Sequence, residues 1–156
     1  MQELEKLNNI TTQTRRDILR MVHKVNSGHP GGSLGCAEFL VTLFNSVMKR
    51  NDDFSMDGIN EDIFFLSNGH ISPVFYSVLA RCGYFDVDEL NTFRLINSRL
   101  QGHPTTHEGL PWSLDVVITM SSNIRIEVCS ELHVNDDMID KDGFLNLCKA
   151  RIIMIN

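Results

Sequence analysis

The chain has 156 residues, 42% of them apolar and 22% charged, which is the composition of one ordinary globular domain able to bury a real core. Its net charge of −6 argues against a nucleic-acid or anionic-membrane surface. No apolar run is long enough to span a bilayer, the charged start "MQELEKLNNITTQTRRDILR" has no signal core, and Cys36, Cys82, Cys129 and Cys148 lack any Cys-x-x-Cys spacing. Reduced thiols and a cytoplasmic protein are the expectation.

Along the chain, Ile18, Met21, Val22 and Val25 follow the i, i+3, i+4, i+7 spacing of one apolar helix face. That helix is expected to stop near Asn26-Ser27-Gly28, where glycine suits the cap and Pro30 cannot continue. Ser33 is placed to cap a second helix whose face is Ala37, Leu40, Val41 and Phe44, continued by Val47 and Met48. Between them, "SGHPGGSLG" is a glycine-rich loop entering a helix N-terminus, where free N–H groups and the helix dipole favour an anion.

After the polar connection "NDDFSMDGINED", the short apolar run "DIFFLS" predicts a buried strand. "SNGHISP" follows, and Pro73 suits the first turn of a helix from Val74 to about Arg81, closed by Gly83. His70 therefore falls just past a strand's carboxyl end and before a helix, where ligands collect in open α/β sheets. Asp86 and Glu89 form a candidate capping pair for a helix with Leu90 and Phe93 facing in, running out into the polar loop "RLQGHPTTHEGLP" with His103 and His107. These alternations predict part of an α/β domain whose loops carry histidines.

Chance placement of 10 Gly and 6 His gives well under one Gly-His step, yet Gly28-His29, Gly69-His70 and Gly102-His103 are all present. Turn chemistry explains a lone Gly-His; three, two of them Gly-His-Pro, exceed it. Glycine lets backbone approach a ligand, proline fixes the loop, and imidazoles donate hydrogen bonds or move protons near neutral pH. Phosphorylated substrates or cofactors suit such loops. Zinc is the rival, but Pro104 separates His103 from His107 and no acidic ligand pattern accompanies them.

The segments "RRDILRMVHKVNSGHPGGSLGCAEFLVTLF", "DIFFLSNGHISPVFYSVLARCGYF" and "FRLINSRLQGHPTTHEGLP" resemble, in order and spacing, the N-terminal thiamine-diphosphate-binding region of transketolase, over about residues 10–111. The start is similar to the split bacterial kind, whose N- and C-terminal subunits are separate chains. The resemblance implies a partial thiamine-diphosphate-binding fold, α/β with a parallel sheet flanked by helices, here as a helix-rich N-terminal segment with an atypical tail. It implies transfer of a two-carbon ketol unit between sugar phosphates, with thiamine diphosphate and Mg²⁺ or Ca²⁺. By the same resemblance His29 contacts substrate and aids proton transfer, His70 approaches the cofactor diphosphate, and His103 binds donor hydroxyls. The cofactor does the carbanion chemistry and the protein orients.

Residues 1–111 thus read as the transketolase-like segment and 112–156 as an unmatched tail. The family's later cofactor loop and its Gly-Asp-Gly metal motif find no counterpart in "WSLDVVITMSSNIRIEVCSELHVNDDMIDKDGFLNLCKARIIMIN", and the family's catalytic glutamate lies in a further domain. No metal ligand is assigned in this chain. A calcium-loop register through Asp140, Asp142 and Gly143 fails, because it puts Met138 first and Lys149 twelfth. "LDVVITM", "IRIEVCSEL" and "ARIIMI" are strand-like without a chemical motif. The abrupt change at Trp112 suggests a frameshift with early termination, and hence a truncated enzyme inactive alone, dependent on a C-terminal transketolase subunit or on homo-oligomerisation. A piece of this kind exposes apolar surface, so poor solubility without a partner is expected. The alternatives are a non-catalytic phosphate-ligand binding module and a remnant that folds only with a partner chain.

Overall fold

The computed structural model describes residues 1–50, 62–66, 68–104 and the backbone of 152–155. Helix α1 (Gln2–Val25) is followed by two short helices, α2 (Pro30–Gly35) and α3 (Ala37–Thr42), and a π-helical turn, Leu43–Val47. Strand β1 (Ile63–Leu66) leads through a 3-10 turn, Gly69–Ile71, into α4 (Ser72–Arg81), and a 3-10 helix, Val87–Thr92, follows. Strand β2 (Ile152–Ile155), from the segment without family resemblance, pairs parallel to β1, with Ile63 opposite Ile152 and Leu66 opposite Ile155. The described part is helix-rich.

Helix α1 stops where its sequence predicts, but Asn26 rather than glycine takes the left-handed cap, at φ 51°. Gly28 adopts φ 127°, a value side-chain-bearing residues rarely reach, and this redirects the chain into α2. The second helix starts earlier than expected, because Pro30 at the first turn is already set to helical φ. Ser33 is therefore inside α2 and fully buried, not a cap. Ala37, Leu40, Val41, Phe44 and Met48 all face the core as expected, whereas Val47 is 50% exposed. The wider π turn shifts the phase of the stripe, burying Leu43 in its place.

The core is aromatic. Phe44 meets Phe64 edge-on at 5.1 Å, Phe64 stacks on Phe75 at 5.7 Å, and Tyr76 meets Phe93 at 6.1 Å. Phe64 and Leu66 are buried, as expected for a strand flanked by turns. Every residue of α4 from Ser72 to Ala80 is buried, which makes this helix the hub on which α1, α2 and α3 pack. The predicted capping pair is half realised. Asp86 accepts from the Asp88 N–H at 2.8 Å, while Glu89 turns away to a forked ion pair with Arg99. Leu90 and Phe93 are buried as expected.

Among the described residues no helix is long and apolar enough to cross a membrane. Cys36 and Cys82 are free thiols. Cys129, Cys148, His107, "LDVVITM", "IRIEVCSEL" and the rejected calcium register lie outside the described residues.

Candidate functional site

His29 is the residue before α2, so the left-handed Asn26 and Gly28 fix where its imidazole emerges. His70 stands in the 3-10 turn between β1 and α4, past the strand's carboxyl end. His103 stands on the loop that returns over α4. Two α4 side chains one helical turn apart pin that loop: Ser72 Oγ donates to the Gly102 carbonyl at 2.7 Å, and Tyr76 Oη to the Gln101 carbonyl at 2.8 Å. Each bond satisfies a loop carbonyl that water would otherwise take.

Three sequence-distant loops thereby bring the three histidines to one place. The His29 and His70 rings lie 5.2 Å apart and the His70 and His103 rings 5.4 Å, both edge to face. Glycine makes this approach possible: a Cβ on Gly69 would stand 2.2 Å from Cδ2 of His103, well inside contact distance. All three histidines are exposed, with His70 in the middle. Partial enclosure, then the neighbouring charges of His70, Arg94 and His29, hold the His103 imidazole below its ordinary pKa. The sense of this shift is to favour the neutral form, a proton acceptor and hydrogen-bond partner.

Arg94 is the site residue that the sequence did not single out. Its Nη1 donates to Ser27 Oγ, two residues before His29, and its N–H donates to the Leu100 carbonyl at 2.8 Å. Two buried donors near these loops, Ser33 Oγ in α2 and Arg94 Nε, have no partner among the described residues. Imidazoles, a guanidinium and unfilled donors suit a ligand rich in anionic or hydroxyl oxygen. A metal ion finds no equivalent here: among the described residues no group of three or more His, Cys, Asp or Glu is placed to hold one.

Three histidines thus meet on glycine-backed loops at a strand end, and comparison with known proteins says what such a chain is similar to. The family model described as transketolase, thiamine diphosphate binding domain, matches residues 8–111. Transketolase 2 of Escherichia coli (strain K12) is 42% identical over 84 residues, covering 53% of this chain and 12% of that protein. Transketolase 1 of Saccharomyces cerevisiae is 43% identical over 84 residues, with the same two shares. Among solved structures, the transketolase from Leishmania mexicana superposes with a TM-score of 0.62 at 32% identity, covering 68% of this chain and 16% of that one. The Pichia stipitis transketolase, solved in complex with sedoheptulose-7-phosphate, gives 0.61 at 36% identity over 69% of this chain and 15% of that one. The chain belongs to the transketolase family, in its thiamine-diphosphate-binding domain. It spans about an eighth of the length of these curated relatives.

Proposed function

We propose that this chain is the N-terminal part of a transketolase-type enzyme that moves a two-carbon ketol unit between sugar phosphates. The observation that carries this reading is the convergence of three histidines, with the His29 and His103 rings 5.2 and 5.4 Å from the His70 ring between them. His29, at the head of α2, is the catalytic and substrate-contacting residue, relaying a proton between ring nitrogen and substrate hydroxyl. His103, kept toward its neutral form, accepts or donates hydrogen bonds to donor-sugar hydroxyls. His70, between the two, is on the cofactor side. When bound, thiamine diphosphate supplies the electron sink for making and breaking the carbon–carbon bond. The unfilled donors of Ser33 and Arg94 fit its oxygen-rich diphosphate end or that of a sugar phosphate. No step is assigned to Mg²⁺ or Ca²⁺ here, because the described residues offer no ligand set for it.

The complete architecture in this reading is a mostly parallel sheet flanked by helices, with β1 as one of its strands, in a cytoplasmic enzyme. The chain alone is inactive and works with a C-terminal transketolase subunit or as a homo-oligomer, with no nucleic acid or membrane involved. Titrating the purified chain with thiamine diphosphate and Mg²⁺, then assaying ketol transfer with and without a transketolase C-terminal subunit, tests it. Diphosphate binding with activity only on mixing is expected. Binding without activity in either mixture would leave a non-catalytic phosphate-binding module, and neither binding nor activity would leave a remnant that needs a partner to fold.

A further inference from the structure

Arg94 combines two features that fold stability alone does not account for. It is a non-glycine residue in the left-handed region, at φ 58°, and its buried Nε has no hydrogen-bond partner among the described residues. Strained backbone and unpaired buried donors persist where the surroundings over-determine them, and they gather at functional sites. What holds Arg94 there is specific. Its N–H donates to Leu100 across the loop, its guanidinium lies over the Phe93 ring with 5.4 Å to the centroid, and Nη1 reaches Ser27 Oγ. The same guanidinium fills the space beside Gly102 that a side chain would take, where an added Cβ would stand 2.7 Å from Nη2 and 3.0 Å from Cζ.

The two anchors are the residues that set two of the three histidines. Ser27 precedes Gly28-His29, and Gly102 precedes His103. We propose that Arg94 is the positioning residue of the histidine cluster, one guanidinium that ties the His29 loop to the His103 loop and places a permanent positive charge beside the outer imidazole. Arginine suits this because its planar fork spans two partners and stacks on an aromatic ring, and because it does not lose its charge. The left-handed backbone at 94 is what aims the side chain back across the loop instead of out to solvent. The groups acting on His103 are then His70 from the 3-10 turn, Arg94 from its own loop and His29 from the head of α2, all opposing protonation together with partial enclosure.

This inference rests on reading the three histidines as one site, but not on which ligand the site takes. The full chain is labelled with ¹⁵N, the ring signals are titrated between pH 5 and 8, and His103→Asn assigns the outer ring. Arg94→Gln removes the charge and is expected to raise the His103 pKa. Arg94→Lys keeps the charge but not the fork; it is expected to leave that pKa low while weakening the ring–ring contacts between His29 and His70. Ser27→Ala cuts one anchor only, and is expected to weaken those contacts with the fold intact, which decides the matter should Arg94→Gln fail to fold. Equal shifts in the Gln and Lys variants, or an unchanged His103 and unchanged ring contacts in Ser27→Ala, would overturn the proposal. Because no cofactor is added, a failed thiamine diphosphate titration leaves these outcomes readable.

Discussion

Two polar clusters hang on α4 by neighbouring i, i+4 rows, and they are built to opposite ends. Ser77 and Arg81 hold Asp17 of α1: Ser77 Oγ donates to Oδ2 at 2.8 Å, Arg81 Nε to the same oxygen at 2.7 Å, and Arg20 approaches Oδ1 at 3.7 Å. Asp17 is only 4% exposed, with two hydrogen bonds on Oδ2 and an ion pair on Oδ1, so its charge is used within the fold. Ser72 and Tyr76 instead donate their hydroxyls to loop carbonyls and leave three exposed histidines whose ring nitrogens have no hydrogen-bond partner among the described residues. Saturation and burial mark the cluster that fastens α1 to α4; unsaturation and exposure mark the one proposed to bind. One helix thus serves as strut and as platform for the histidine loops, by which row of side chains it presents.

Breaking the strut is expected to have the largest effect on stability. Asp17→Ala leaves Arg81 and Ser77 without their shared acceptor in a largely buried position, and should cost about 3 kcal/mol or more. Urea unfolding followed by circular dichroism measures it, and a loss under about 1 kcal/mol would show the cluster to be no more than a surface pair. Gly69→Ala inverts the pattern. Its new methyl displaces only the far edge of the His103 ring, so stability should fall by less than about 1 kcal/mol. Ketol transfer with a C-terminal subunit should drop on the order of a hundredfold, because the outer imidazole is pushed out of place. A variant that loses stability but keeps activity would reverse the division drawn between the two clusters.

How far each cluster was legible follows from what sequence periodicity can see. The apolar stripes through Ile18, Met21, Leu40, Val41 and Phe44 and the strand at "DIFFLS" were readable because burial imposes a period. The histidines were readable because each sits on a glycine hinge, and their order and spacing resemble one family. Asp17 was hidden, since a charged residue on a helix normally points to water and only the partner 64 positions away, Arg81, changes that. Arg94 was hidden for the same reason: its anchors at Ser27 and Gly102 belong to loops whose approach is a product of the fold. The π turn that exposes Val47 left no mark either, because one wide turn shifts phase without changing residue type.

The smallest expected effect is on pH dependence, and it belongs to the exposed cluster. His103 has its folded-state pKa below the ordinary 6.5 of an unfolded chain, by enclosure first and then by His70, Arg94 and His29. The unfolded chain therefore binds the proton more readily, so the contribution to stability is complete above about 6.5 and is lost as pH falls from there through the folded-state value. Melting curves at pH 7.5 and 5.5 should show a slight fall in Tm at the lower pH that His103→Asn reduces. An acid-induced loss that survives His103→Asn undiminished would mean that the three rings do not feel one another in solution, and the exposed cluster would then lack the mutual coupling that sets it apart from the strut.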